Sequence, residues 1–498
     1  PRSTLFPYTT LFRSRDVFST AKCPLNTHLG AISSFLGIVD MFKTLYLCTR
    51  FLGILSVFKI MNSTIRKMLL CAMIGMTTTT IQAQVNAADS VMQHVKGNRL
   101  SVGGYGEVGY TREFFSDHVN RYASPANYKD DPSHGKFDIP HAVIYLSYDF
   151  GKGWTMGTEI EFEHTGTGSA IENEADEAAE WEYEQEKGGE VELEQFWINK
   201  EFSKAANVKF GHIIVPVGLN NAHHEPLHYF TVYRPEGENT ILPSTWHDTG
   251  ISFWGRAGQF KYQVMVVAGL NAMLFNRDKW IHHGAGSPFE FKPANQYGFA
   301  GRLDYYAMPG LRFGLSGYYG NSAHNTYPND LKGDGKPYDK VKGTVAAGAI
   351  DMTLNRWNWI VRGQADYGYV GDTDKLNTIK DAKAHASNSP VKSAMIGKNA
   401  VAMGIEAGYD VFSQIEKLRL DKQKLYVFGR YEYYDSYIPA KNKEMFDYTN
   451  VHRIAVGLNY YPIPQIAIKA DYSLRKLKTP YNNEPSLNIG VAYEGFFL

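Results

Sequence analysis

Histidines crowd one short stretch of the chain, where they could ligate a metal ion or make hydrogen bonds. His223, His224 and His228 stand beside Glu225, and His247 follows further along. The two histidines of a His-x-x-x-His pair bind one ion from the same side of a helix, whereas two adjacent histidines cannot. The spacing therefore favours a polar, hydrogen-bonded segment, with a metal site as the alternative. Three prolines stiffen the backbone of this stretch: Pro226, Pro235 and Pro243.

In other segments, charged residues alternate with apolar ones, which places the charges together on one face of a β-strand. The acidic residues in this pattern are Glu159, Glu161, Glu163, Glu192 and Glu194. The basic residues in this pattern are Arg302, Arg312, Arg362, Arg430, Arg453, Lys469 and Arg475. A strand with one charged and one apolar face suits a sheet whose two sides meet different solvents.

Catalytic chemistry has little support in the sequence. The three cysteines, Cys23, Cys48 and Cys71, all precede residue 84, so the rest of the chain offers no thiol nucleophile or thiolate metal site. There is no G-x-S-x-G sequence and no phosphate-binding loop of the G-x-x-x-x-G-K-[ST] kind. The formal net charge of zero gives no reason to expect a nucleic-acid partner. We expect a protein that is not an enzyme and needs no cofactor or metal; a hydrolase with a dispersed triad is the alternative.

A run of acidic residues lies between residues 172 and 190. Its members are Glu172, Glu174, Asp176, Glu177, Glu180, Glu182, Glu184, Glu186 and Glu190. We predict a solvated surface loop. The alternative is that the carboxylates hold divalent cations shared with lipopolysaccharide phosphates.

The elements that must position these residues are segments of alternating apolar and polar character, repeated from residue 99 to the end. Such repeats are typical of transmembrane β-strands. We predict sixteen strands: 99–113, 138–150, 153–165, 191–202, 208–218, 249–257, 260–271, 297–308, 311–321, 341–355, 357–370, 398–413, 424–437, 450–462, 465–476 and 486–498. The fold class is therefore all-β, a transmembrane antiparallel β-barrel of about 16 strands, since only a closed barrel satisfies every backbone group of membrane-spanning strands.

The predicted connections alternate between short and long. Short ones include 151–153, 258–259, 309–310 and 463–464, and long ones include 116–136, 166–190, 219–248, 272–296, 322–340 and 371–397. Outer-membrane barrels have short periplasmic turns and long outer loops. A water-soluble sandwich could also alternate, but loops that are long at one end only favour the barrel.

The cost of exposing a charge to lipid predicts the side of the barrel wall on which the charged side chains lie. A charge on the lipid side near the membrane centre costs about 2 to 4 kcal/mol, so the seven basic residues above should line the lumen. Acids on the same strands are fewer: Asp304, Asp366, Glu432 and Asp471. One hypothesis is a basic wall facing the acidic wall of residues 159–163, 192 and 194, with a modest anion preference. The other is that the charges pair and keep the lumen wet.

The chain divides into four predicted parts. Residues 1–60 read as adapter-like and upstream non-native translation, since TLFPYTTLFRS at 4–14 resembles a translated sequencing adapter. Residues 61–83 have the basic start, apolar centre and small-residue end of a signal peptide, with cleavage expected after Ala83. Residues 84–98 form a short periplasmic segment, and residues 99–498 form the barrel. We therefore expect the bacterial outer membrane as the location.

The stretch 223–247 contains the sequences HHEP, YRPEGEN, ILP and WH. With the order of strands and loops over residues 95–498, it resembles porins of the phosphate-selective O and P type from Bacteroidetes-like bacteria. The resemblance implies a sixteen-stranded barrel, commonly a homotrimer, whose third long loop narrows the lumen. The residues expected in this constriction are His223, His224, Glu225, His228, Tyr229, Arg234, Trp246 and His247. No short motif identifies the basic ladder on which the family's anion selectivity depends.

These observations predict an outer-membrane porin for passive diffusion of small hydrophilic solutes or anions, with phosphate among the candidates. The alternative is a surface receptor or adhesin with a plugged barrel. The expected partners are outer-membrane lipid, lipopolysaccharide and the barrel-assembly machinery.

Overall fold

The structure is a computed structural model that describes residues 99–498, except 119, 132–133, 176–180, 288–290, 327–339, 387–394 and 442. The side chains of 165–175, 181–190 and 381–386 are also outside the description. The predicted parts 1–60, 61–83 and 84–98 therefore lie outside the described residues, as do the side chains of the acidic run.

The described chain is built from antiparallel strands, most of them close to the predicted positions. The strands are β1 (Leu100–Glu113), β2 (Gly135–Asp138), β3 (His141–Gly151), β4 (Trp154–Ala175), β5 (Trp181–Ser203), β6 (Ala206–Ile214), β7 (His247–Ala257), β8 (Phe260–Val267), β9 (Gly298–Met308), β10 (Leu311–Asn321), β11 (Thr344–Arg356), β12 (Trp359–Val370), β13 (Asn399–Asp410), β14 (Lys424–Ile438), β15 (Asn450–Ile463), β16 (Ile466–Lys476) and β17 (Glu484–Phe496).

The sheet closes on itself. β1 pairs with β17 from Gly103 opposite Phe496 to Glu113 opposite Ser486. On its other side, β1 pairs with β3 and then with the short β2, which lies end to end with β3. Pro140, which has no N–H to donate, stands in the gap between them. The seventeen strands thus fill sixteen positions, and the predicted sixteen-stranded barrel is confirmed.

Connections at one end of the barrel are tight. Trp357 and Asn358, between β11 and β12, both have positive φ, as a two-residue hairpin turn of type I′ requires. Several elements differ from the prediction. The prediction of a loop over residues 166–190 is wrong, because β4 extends to Ala175, β5 begins at Trp181, and the two strands pair as a long hairpin. The predicted strand 208–218 ends at Ile214, and the link between β13 and β14 contains a helix, Glu416–Leu420.

Helices in the described part of the chain are short and lie in the connections. They are Leu219–Ala222, Glu236–Ile241, Thr373–Ala386 and Glu416–Leu420, with 3-10 turns at Pro125–Tyr128, Pro226–His228, Ala272–Leu274, His282–Ala285, Val411–Gln414 and Asp447–Thr449. Among the described residues, no helix has both the length and the apolar character needed to cross a membrane.

The two faces of the wall differ as the alternation predicted. Outward side chains are apolar and exposed; examples are Val108, Ile144, Phe210, Ile251, Leu315, Ile350, Ile405, Val456 and Ile489. Inward side chains are buried and include most of the charged residues of the strands.

The long connections fold over and into the barrel. Phe275, Trp280 and Ile281 from residues 268–297 are completely buried, and they belong to one apolar cluster with Val341 and Leu376 from the next two long connections. Because these segments fill one end of the barrel with apolar side chains, the inward charges are shielded from water on that side.

Candidate functional site

The third long connection, residues 215–246, is called here the L3 loop. It leaves β6 and rejoins β7, and a hydrogen bond from the Val215 N–H to the Trp246 carbonyl, 2.7 Å, closes its base. Its centre contacts both sides of the barrel interior. The L3 loop therefore lies in the lumen, where the resemblance had placed it.

One side of the lumen carries the predicted basic residues, and carboxylates lie between them. Arg302 reaches Asp351 at 2.9 Å, and Arg312 reaches Asp304 at 2.7 Å. Arg312 also lies 2.8 Å from Asp351. All four side chains are almost completely buried. Buried groups of opposite charge at this distance form charge-assisted hydrogen bonds, and their charges neutralise each other locally.

The same pairing continues on β12 to β15. Arg430 donates to Glu406 at 3.1 Å and to Glu432 at 3.0 Å. Arg362 shares Glu406, and Arg453 lies 3.4 Å from Glu432. Glu406 and Arg430 are directly opposite each other in the β13–β14 register. We call the ladder from Arg302 to Arg475 the paired wall.

The L3 loop attaches to the paired wall through its own acid. Glu236 lies 2.6 Å from Arg475 and 3.3 Å from Arg453. The N–H of Gly237 donates to Glu432 at 2.9 Å. The short helix Glu236–Ile241 is thereby held against the wall.

Lys469 attaches the same loop without a carboxylate. Its ammonium donates to the carbonyls of Tyr229 at 3.0 Å and Thr231 at 3.1 Å, and to that of Pro226. On the same strand, Asp471 accepts from the N–H of Val232 at 2.7 Å. The predicted lumen residue Lys469 therefore binds loop backbone.

The opposite side of the lumen is rich in carboxylates. Glu159, Glu161 and Glu194 on β4 and β5 are at most 2% exposed, while Glu163 and Glu192 are only partly buried. The nearest basic group on the wall itself is His141, whose Nδ1 lies 2.6 Å from Glu161. We call Glu159, Glu161 and Glu194 the acidic wall.

A β-bulge shapes the acidic wall. Glu159 pairs with Gln195, and the register shifts before Ile160 pairs with Leu193. Both Glu194 and Gln195 consequently point inward, and Gln195 donates to Glu159. Bulges re-aim side chains in this way and are frequent beside functional sites.

The L3 loop also meets the acidic wall. His224 places its Nε2 3.6 Å from Glu159 and 3.9 Å from Glu194. Arg234 donates to the Tyr105 hydroxyl at 3.3 Å. The Tyr229 hydroxyl donates to Glu107 at 3.1 Å. The loop therefore presents basic groups to the acidic wall and an acid to the paired wall.

The other predicted constriction residues lie nearby. Glu225 accepts from His228 at 2.7 Å. Although burial opposes protonation, the carboxylates of Glu494 and Glu225 raise the pKa of His228 to about 9. The ring of His223 lies 5.8 Å from that of His228, and Trp246 packs on Tyr318.

One constriction residue lies elsewhere than predicted. His247 is the first residue of β7 and lies beside His212, 3.9 Å from Glu192. It belongs to the wall, because β7 begins earlier than the predicted strand 249–257.

The hypothesis of a basic wall facing an acidic wall requires correction. Asp351, Glu406 and Glu484, which the sequence analysis did not assign, neutralise arginines of the paired wall. The arginines on that side therefore pair with carboxylates, as the second hypothesis expects. The missed acids have a signal in the sequence, since Asp351 and Glu406 alternate with outward Ile350 and Ile405.

Comparisons with known proteins give the following similarities. No protein-family model matches the chain. A protein of Aquifex aeolicus (strain VF5), called "Uncharacterized protein", is 26% identical over 404 residues, 80% of this chain and 80% of its own. Among solved structures, the chain is similar to "Salmonella typhi OmpF complex with Daunomycin", with a TM-score of 0.48, 11% identity, and 80% of this chain and 98% of that chain covered. It is also similar to "Anion-selective porin from Comamonas acidovorans", with a TM-score of 0.43, 10% identity, and 80% and 98% covered.

Proposed function

We propose that the protein is an outer-membrane channel for passive diffusion of small hydrophilic solutes, and that the L3 loop closes it. The observation that carries this proposal is the closed barrel whose strands are apolar outside and charged inside. Such a wall suits lipid on one side and a polar passage on the other. The proposed cellular context includes export by the signal peptide 61–83, assembly by the barrel-assembly machinery, contact with lipopolysaccharide and a homotrimer.

The closure is noncovalent. The L3 loop is held by the ion pairs of Glu236 and by the hydrogen bonds of Lys469 and Asp471. Side chains on both walls are buried in this arrangement, so a solute passes only when the loop moves. We therefore expect a channel with small or intermittent conductance.

We extend the proposal to anions, including phosphate, for the open channel. Movement of the L3 loop would remove Glu236 from Arg453 and Arg475 and leave these two arginines with Glu432 and Glu484 alone. A modest anion preference would follow at that position. Reversal potentials in a potassium chloride gradient, repeated with phosphate, measure it.

A second candidate is a surface receptor or adhesin with a plugged barrel, and the burial of the inward side chains favours it. Recording of the purified protein in planar bilayers separates the two candidates. A channel gives discrete current steps in potassium chloride. A permanently plugged barrel inserts, runs as a folded barrel on an unheated gel, and gives no steps.

A further inference from the structure

The acidic wall contains a group of unsatisfied metal-ligating atoms. Within the described residues, three buried side chains, Glu159, Glu194 and His224, bring one donor atom each to within 4.8 Å of one another. His224 is 2% exposed and Glu194 is 0% exposed. Two of the three residues come from the wall and one comes from the L3 loop.

The hydrogen bonding of these atoms is incomplete. Among the described residues, both nitrogens of His224, both oxygens of Glu194 and Oε1 of Glu159 have no hydrogen-bond partner. Buried polar atoms in native proteins nearly always have one, so this concentration at one place requires a ligand or a proton. Glu161, the neighbouring inward acid, adds further negative charge.

Other clusters of similar composition differ on this point. In the group of His141, Glu161 and Glu163, the imidazole is hydrogen-bonded to Glu161 at 2.6 Å. In the group of Glu225, His228 and Glu494, the imidazole is hydrogen-bonded to Glu225 at 2.7 Å. In both clusters the imidazole already has a carboxylate partner, whereas neither nitrogen of His224 has a hydrogen-bond partner among the described residues.

The separations are close to those between ligands of one bound ion, the shorter within the zinc range and the longer just above it. Nε2 of His224 lies 3.6 Å from Glu159 Oε1 and 3.9 Å from Glu194 Oε1. Ligands about 2.0 to 2.2 Å from a shared zinc ion, at angles of about 110 to 120°, are roughly 3.3 to 3.8 Å apart. Gln195 holds the other oxygen of Glu159, as a supporting residue around a metal ligand does.

We propose that Glu159, Glu194 and His224 form a binding site for a divalent transition-metal ion of the zinc class. One imidazole nitrogen and two carboxylate oxygens suit zinc, whereas magnesium and calcium prefer oxygen ligands alone. The bulge that turns Glu194 inward beside Gln195 builds the wall half of the site. Because His224 belongs to the L3 loop, the ion ties the loop to β4 and β5. Zinc binding at this site does not depend on whether the barrel conducts.

The test is metal binding by the chain that cleavage after Ala83 leaves, residues 84–498, which contains no cysteine; it is folded in detergent, stripped with a chelator and dialysed. Zinc binding is measured by calorimetry and elemental analysis, with magnesium as the contrasting ion and cobalt absorption as a report of coordination. The wild type should bind one zinc ion per chain. E194Q and H224A should each weaken the binding by more than about 100-fold, since loss of a supporting residue alone costs about 10 to 100-fold.

The matched control is E201Q, which makes the same change at the far end of β5 and should bind zinc as the wild type does. A variant is folded if its unheated sample migrates faster on a denaturing gel than its heated sample. If E194Q fails to fold, H224A decides the matter, because its residue lies in the loop and not in the wall. Equal binding by the wild type and H224A, or no binding by the wild type, would overturn the proposal and leave a proton shared by Glu159 and Glu194.

Discussion

The two walls of the lumen differ in how most of their buried carboxylates are partnered, although Asp366 on the paired wall has no hydrogen-bond partner among the described residues. On the paired wall, Arg430 lies between Glu406 and Glu432, within hydrogen-bonding distance of both. On the acidic wall, Glu194 is as deeply buried as those carboxylates, but neither of its oxygens has a hydrogen-bond partner among the described residues. Equal burial therefore does not mean equal contribution to stability. A buried pair is costly to break, whereas a buried charge without a partner is itself a cost.

Breaking the paired wall should have the largest effect. Arg430→Ser removes the cation between two buried carboxylates, and we expect the free energy of unfolding to fall by about 3 to 5 kcal/mol. Urea unfolding in detergent measures the change. Arg356→Ser, at the exposed end of β11, should change it little. A loss below about 1 kcal/mol would mean that Glu406 and Glu432 find other partners.

Loosening the contact between loop and wall should have a smaller effect. Glu236→Gln leaves Arg453 with Glu432 and Arg475 with Glu484, so no arginine loses its only carboxylate. We expect a loss of about 1.5 to 3 kcal/mol, the usual contribution of a charged hydrogen bond. We also expect more frequent channel opening in bilayer recordings. Glu444→Gln, an exposed change in another loop, serves as the control. If Glu236→Gln opens as often as the wild type, this contact of the L3 loop does not control channel opening.

A substitution in the acidic wall should raise the free energy of unfolding, whereas the two substitutions above lower it. In the presence of a chelator, Glu194→Gln replaces an unsatisfied carboxylate by a neutral group of the same shape. We expect the free energy of unfolding to rise by about 1 to 3 kcal/mol. With zinc present, the wild type should be the more stable protein, since the ion binds only the folded state. A loss of stability under both conditions would show that Glu194 has a partner that the geometry does not reveal.

Protonation of the L3 loop should give the smallest effect. The pKa of His228 is about 9, above the ordinary value of 6.5. A raised folded-state pKa stabilises fully below about 6.5, and this contribution is lost as the pH rises through about 9. The stability difference between the wild type and His228→Gln should therefore shrink between these two values. A pH-independent difference for His228→Gln would exclude protonation as its cause.

The sequence was sufficient for much of the fold, because strand periodicity is a local property. The predicted strand 311–321 coincides with β10, and 424–437 differs from β14 by one residue. The inward position of Arg362 followed from the same alternation. Pairing could not be predicted, because it depends on register: Glu406 meets Arg430 only when β13 and β14 align as they do.

Two features of the site lay beyond local patterns. Strict alternation predicts Glu194 inward and Gln195 outward, and the bulge turns both inward. Glu236 and Arg475 are far apart in the chain, and only the docking of the L3 loop across the lumen brings them together. Nothing in the spacing of residues 223–247 indicates which wall each residue meets.

A reversible crosslink tests most directly whether the L3 loop closes a channel. A Cβ at Gly237 would lie 3.6 Å from the Cβ of Ala402 on β13, within the about 3.5 to 4.5 Å that a disulfide spans. Residues 99–498 contain no cysteine, so Gly237→Cys with Ala402→Cys creates a single pair there. In bilayer recordings, the oxidised protein should give no current steps, and reduction in the chamber should restore those of the wild type. Identical currents before and after reduction would contradict the account.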